Sequence, residues 1–402
     1  MSKEKAFTLF ALDANYGLVA QIAYSELQWR RRYHECGIFS IVILGNYDTS
    51  WKYIYTSDRR EMGEITQVNY SQNKGVKKIT LSGYFLESQL DKMVVYPKPT
   101  HFIDDSGTHY SDSIIKGTDA PTWINLAGTA DVVAMGFFNA FKKIKFRNYD
   151  LGGSTLVTHE YELDILAGTV DQDHGTYHQA DHSRNNEPLG RKLYDILKES
   201  GASPTVDFDF LERTKTLNIV HGRDLTGADT NPDVNPVTFS TYNGTISEVN
   251  LVKSNTSTKD VVISTNESDE EVQVLVNALP DAIGRFISAS ISPSRSDFWD
   301  DDTPSGQIPT QDALYKQAVA QDVMNEVIPD KRDVFNITFK AVDGSYEYME
   351  DFDLGDLVAV EVPEIGLSAD VRIIACDESV TNGVWKLTMT FGTPIKIRKR
   401  GL

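Results

Sequence analysis

At 402 residues with 40% apolar content, the chain is long enough for roughly two to four buried cores. Its formal charge of -19 and pI of about 4.8 exclude a nucleic-acid surface built on clustered lysine and arginine, although an acidic wall still lets DNA pass without sticking. Cys36 and Cys376 exclude a disulfide framework, which fits synthesis in a reducing cytoplasm, and no apolar run reaches the length of a membrane span.

In chain order, the apolar piece at residues 6–12 is broken by Asp13 and is short for a signal-peptide core. The cluster Trp29-Arg30-Arg31-Arg32-Tyr33 reads as a strand whose arginines face solvent or a subunit interface, because no further basic groups gather around it. β-rich runs follow at residues 37–44, 51–55, 65–68 and 78–81. Tyr96-Pro97-Lys98-Pro99 reads as a linker. Residues 131–144 space Val133, Phe137, Phe138 and Phe141 as a core helix with lysines at its C-terminal end, where the helix dipole favours them. A short amphipathic helix at residues 189–198 is closed by Gly201. Strands are predicted at 205–210, 216–220, 237–246 and 261–264, and a helix at 311–327.

The last of these elements form a meander. Leu357, Val358, Val360 and Val362 follow the Leu354-Gly355-Asp356 turn, Val371, Ile373 and Ala375 alternate along a second strand, and Leu387, Met389 and Phe391 along a third. An ungapped alignment sets an early segment on this one: Ile65 falls on Ile373, Ser71 on Ser379, Gly75 on Gly383, Val76 on Val384, Lys78 on Lys386 and Thr80 on Thr388. Unrelated hairpins also share turn glycines and alternation, but a repeat at opposite ends of one chain favours duplication. The expected class is therefore α+β, mainly β, with two small tube-forming β-barrel domains flanking a mixed α/β middle region. The expected boundaries are a first barrel at 1–95, a middle region at 96–327 and a second barrel at 328–402. The middle region has room for two subdomains and for a part that completes the first barrel.

Chemistry-bearing clusters are sparse. His174, His178 and His182, interspersed with Asp171, Asp173 and Asp181, would make a zinc or nickel ligand set on one face of a helix. Gly175 and the dense polar content argue for a loop instead, where that spacing has no facial meaning, and no zinc-protease signature is present. Asp300-Asp301-Asp302 lacks calcium-loop spacing. Neither a nucleophile elbow nor a phosphate-cradling loop occurs. No catalytic, cofactor or metal residue is assigned. Two rival readings remain: a metal-dependent hydrolase of cell-wall polymer acting through the three histidines, and a carbohydrate-binding adhesion protein using Trp51 and Trp299.

Taken in order, several segments carry a resemblance. They are Gly37-Ile38-Phe39, Gly63-Glu64-Ile65, Leu81-Ser82-Gly83, the helix at residues 193–197, Gly222-Arg223-Asp224-Leu225-Thr226, Phe239-Ser240, Gly244-Thr245-Ile246, Asp353-Leu354-Gly355-Asp356-Leu357-Val358 and Thr390-Phe391-Gly392. Each is weak alone, but their order over nearly the whole chain resembles the tail-tip hub proteins of long-tailed bacteriophages, the tail-associated (Tal-like) or baseplate hub family. The resemblance implies a non-enzymatic virion component made in the host cytoplasm, without cofactors. It also implies a homotrimer whose duplicated barrels present a pseudo-sixfold ring to the hexameric distal tail protein. Tape-measure protein or DNA would occupy the lumen, receptor-binding proteins would attach nearby, and the tip would open on host adsorption for genome ejection. The middle region would close the lumen.

Overall fold

The computed structural model describes residues 7–95, 102–103, 109–110, 125–149, 156–170, 177–181, 187–227, 235–254, 261–265, 271–275, 286–290, 334–341, 346–392 and 396–397. Strands predominate among them, with few helices, so the class is α+β and mainly β. Contacts divide the chain into a larger unit, residues 1–249 with 338–402, and a smaller one, residues 250–337. In the smaller unit Val261–Thr265 pairs antiparallel with Glu271–Leu275 and parallel with Phe286–Ser290.

The larger unit is organised on one long sheet. Its early strands are β1 (Leu9–Leu12), β2 (Leu18–Ile22), β3 (Tyr24–Arg32), β4 (Ile38–Ile43), β5 (Tyr53–Tyr55), β6 (Gly63–Asn73) and β7 (Val76–Phe85). A second group comprises β8 (Ala202–Asp209), β9 (Thr214–His221), β10 (Thr238–Ser240), β11 (Leu357–Val362), β12 (Leu367–Thr381) and β13 (Val384–Phe391). The sheet runs β2-β1-β5-β6-β7-β4-β3-β12-β13, so the two ends of the chain meet side by side at β3 and β12. β11 pairs with the first half of β12 and, in parallel, with β10.

The two aligned hairpins share their backbone design. β6 and β7 are joined by Lys74-Gly75 at φ 47° and 85°, and β12 and β13 by Asn382-Gly383 at φ 52° and 79°. Two consecutive positive φ angles make the mirror-image turn whose twist matches a hairpin, and at its second position a glycine carries no Cβ penalty. Register also agrees. Asn73 faces Val76 as Thr381 faces Val384, and a bulge falls between Ile65 and Gln67 as another falls between Ile373 and Ala375, its aligned counterpart. Below the bulge, β5 sets Tyr53 against Glu64 and Ile54 against Gly63; β11 sets Leu357 against Arg372 and Val358 against Val371, again at aligned positions.

Two apolar cores hold the early strands. One face of the sheet buries Leu27, Trp29, Phe39, Ile41, Leu81 and Phe85, with the Trp29 and Phe85 ring centroids 4.7 Å apart. Burying each such side chain contributes about 1.5–3 kcal/mol before entropy is counted. The second core packs helices α1 (Ala130–Phe141) and α2 (Leu189–Ser200) with the 3₁₀ turn Leu86–Lys92 and with β8 and β9. α1 begins on the Thr129 hydroxyl, which accepts from the Val132 N–H at 3.4 Å. α2 ends at Gly201, φ 72°, whose N–H reaches the Leu197 and Lys198 carbonyls.

Some readings change. The stretch 237–246 is two short pieces, because the chain turns at residues 241–244 with Gly244 at φ 68° before the strand Ile246–Ser254 begins. The predicted helix at 311–327 lies outside the described residues. No helix among the described residues is long and apolar enough to cross a membrane.

Candidate functional site: an open sheet face and a free strand edge

Strand alternation gives the sheet a second face. Gln67, Ser82, Ser40, Gln28, Ser379 and Lys386 lie side by side in register across six strands. A neighbouring row runs Asn69, Thr80, Val42, Glu26 and Thr381, and none of these side chains is buried. Charges on this face are few and mostly paired: Arg32 meets Asp377 at 2.6 Å and Lys78 meets Glu26 at 3.4 Å. Such a surface is rich in hydroxyl and amide groups that offer water-like hydrogen bonding, with Ile38, Val42 and Tyr84 as its apolar members. The chain's strong negative charge is not carried here.

The edge of the sheet is the second feature. β5 pairs with β6 only at Gly63 and Glu64, so residues 67–73 have β7 on one side and no strand on the other among the described residues. The matching edge of β12, residues 375–381, is filled within the chain by Glu26–Arg32 of β3. Backbone donors and acceptors along a free edge are a template for another chain. Val68 and Tyr70 are exposed on this arm, and the arm carries Lys74, Lys77 and Lys78 with no carboxylate from residue 65 to 86.

A buried charge cluster sets the β3–β12 seam. Arg31, predicted to face outward, is only 4% exposed. Its parity along β3 is that of Leu27 and Trp29, so it points into the core. There Nε meets Glu61 Oε1 at 2.7 Å, and Nη1 meets Asp353 Oδ1 at 2.6 Å and the Tyr348 hydroxyl at 2.7 Å. Burial alone would lower its pKa; Glu61, Tyr348 and Asp353 outweigh that and hold it well above the usual arginine value. Arg59 forks onto Glu378, Nε to Oε1 at 2.8 Å and Nη2 to Oε2, and the Trp385 indole N–H donates to the same carboxylate at 3.0 Å. Composition signalled nothing of these partners, which lie some 30 to 320 residues away in sequence.

Two motifs that looked weak in sequence are brought together. The Gly222 to Thr226 stretch lies along the start of β11: Arg223 and Asp356 pair at 2.7 Å, the Leu357 N–H donates to the Arg223 carbonyl at 2.8 Å and the Leu225 N–H to the Leu357 carbonyl at 2.8 Å. Tyr33 locks this junction: its hydroxyl lies 2.9 Å from both the Gly201 and the Val220 carbonyl, which share its one proton, and it accepts from the Gly222 N–H at 3.1 Å. Burial pushes the Tyr33 phenol up to about 12, so it remains an O–H donor.

The other candidates fall out differently. Tyr177–Asp181 is a strand paired with Asn125–Thr129, neither helix nor loop, and His174 and His182 lie outside the described residues, as do Asp300-Asp301-Asp302 and Trp299. Trp51 is half-buried against the core, its ring set edge-on to Tyr47 at 5.7 Å, so it is no open stacking platform.

No curated protein matches the sequence. Among solved structures, the fold is similar to the 43 kDa tail protein of prophage MuSo2 from Shewanella oneidensis, at 11% identity and TM-score 0.51, covering 96% of this chain and 98% of that one. It is also similar to a tail protein from Neisseria meningitidis MC58, at 13% identity and TM-score 0.52, covering 96% and 97%. At such identities the likeness is one of fold. A family model described as Siphovirus ReqiPepy6 Gp37-like protein matches residues 175–393, more than half of the sequence, and the chain belongs to that family of siphovirus proteins.

Proposed function

We propose that the chain is a non-enzymatic structural hub of a siphovirus tail tip, forming a homotrimeric ring that adapts the sixfold tail to a threefold tip. The observation that carries this reading is the pair of register-matched hairpins, one with its outer edge filled by β3 and the other with the same edge free among the described residues. A neighbouring subunit supplies the strand that fills residues 67–73. Each chain then contributes two barrel-type repeats, and three chains present six to the hexameric distal tail protein, which resolves the symmetry mismatch. In such a ring the face rich in hydroxyl and amide groups lines the lumen, where tape-measure protein or DNA passes over a surface with few unpaired charges. The middle region, residues 96–327, closes that lumen until receptor-binding proteins engage the host and the tip opens for genome ejection.

Light scattering on the purified chain, alone and mixed with the distal tail protein, tests the reading. Threefold particles, visible as rings in negative stain, are expected. A strictly monomeric species at high concentration that forms no ring on mixing overturns it.

A further inference from the structure

The sheet that carries the two hairpins has a far end as well as the free arm of β6. Beyond β13 it continues to the strand Val334–Ala341 and stops at the strand Ile246–Ser254, of which residues 338–341 and 246–249 lie in the larger unit. The order β6-β7-β4-β3 is thus followed by β12, β13 and these two strands, one block of four after another. Since β6 and β7 match β12 and β13, place in the block matches β4 with Val334–Ala341 and β3 with Ile246–Ser254.

Residue pattern agrees with place. β3 and Ile246–Ser254 are both nine residues long. Laid on each other without a gap, they set Ser25 on Ser247, Glu26 on Glu248, Leu27 on Val249, Gln28 on Asn250 and Arg31 on Lys253. Phe39-Ser40-Ile41 of β4 likewise matches Phe335-Asn336-Ile337. The duplication therefore takes in the strand that fills the β12 edge, and that strand has a second copy.

β3 lies between β4 and β12, whereas its counterpart has Val334–Ala341 on one side and no strand on the other among the described residues. Exposure marks the two vacant sides. Val249 is 38% exposed where its counterpart Leu27 is 1%, and Tyr70 is 58% exposed where its counterpart Glu378 is 1%. Leu27 and Glu378 both lie on the β3–β12 seam; Val249 and Tyr70 lie on the two open edges.

We infer, granting the trimeric ring proposed for this chain, that residues 67–73 are filled by Ile246–Ser254 of the next copy, antiparallel and in the register that β3 adopts on β12. There Thr381 faces Glu26, Val380 faces Leu27 and Ser379 faces Gln28. Carried to the seam, the same register sets Asn73 against Glu248 of the partner subunit, Gln72 against the partner subunit's Val249, and Ser71 against the partner subunit's Asn250. Glu248 thereby comes to the tip of an arm whose only charges are lysines. Each chain's far edge fills the next chain's arm, a head-to-tail contact that closes on itself in a ring.

Cysteine cross-linking in assembled rings tests the pairing. Of the double variants Gln72→Cys with Val249→Cys and Asn73→Cys with Glu248→Cys, at least one should give a disulfide ladder that stops at three chains. The slipped pair, Gln72→Cys with Glu248→Cys, places its side chains on opposite faces and should not link. Hydrogen exchange on the wild type gives a readout independent of the variants: on assembly the edge amides of residues 67–73 and of residues 246–252 should slow together, by on the order of tenfold or more. Rings in which residues 67–73 slow alone, or in which neither matched pair links, overturn this pairing and leave the trimer standing. Absence of any ring overturns both.

Discussion

Arg59 and Glu378 show what single residues decide in this fold. Their side chains are 5% and 0% exposed, so neither charge can turn to water if the other is lost. Arg59→Met should destabilise the chain by about 3–5 kcal/mol, mostly through the stranded carboxylate, and Glu378→Gln added to it should recover part of that loss. A double-mutant cycle by urea unfolding measures both; additive losses would refute the pairing. Gly222 acts through space alone. A Cβ there would sit 1.7 Å from the Gly355 carbonyl oxygen, a backbone atom that cannot swing aside. Gly222→Ala should cost about 3 kcal/mol or more and separate Arg223 from Asp356, with loss of hydrogen-exchange protection at Leu357 as the local sign.

At the scale of elements, the two hairpins form an internal experiment. Their turns have the same backbone but different first residues, Lys74 in one and Asn382 in the other, both at positive φ. Asparagine tolerates that region better than lysine, since its short side chain hydrogen-bonds locally. Lys74→Asn should therefore stabilise the β6–β7 arm by about 0.5 kcal/mol, read as slower amide exchange at the arm's tip. The reverse change, Asn382→Lys, should lower stability by a similar amount. Equal and opposite effects are the expectation for two copies of one design; an effect at only one turn would count against it.

For the whole molecule, the filled and free edges set the prediction. A proline removes an N–H and is tolerated at a sheet edge but not within a ladder. In Val68→Pro and Asn69→Pro, the variant whose N–H points to the free side should fold with near-native melting and fail to assemble, while the other should damage the arm itself. Both kinds of outcome are read from light scattering and circular dichroism on the same samples. If neither variant changes the assembly state, residues 67–73 are not the seam between subunits.

The sequence by itself determined the local design: the β-rich class, a helix starting near residue 131 and another closed by Gly201, and the hairpin echo down to its turn glycines; that the first helix stops at Phe141 and Lys143 begins a strand was decided by the structure. The local features depend on alternation, helical spacing and glycine's backbone freedom, which act over a few residues. Only the tertiary structure decided that β3 and β12 lie side by side, that Arg31 points inward to partners far along the chain, and that the Gly222 and Gly355 turns nest against each other. Burial and pairing of that kind depend on which distant strands become neighbours, and no local pattern encodes that choice. The free edge of β6 became visible for the same reason: an edge is free only relative to strands that have already found their places.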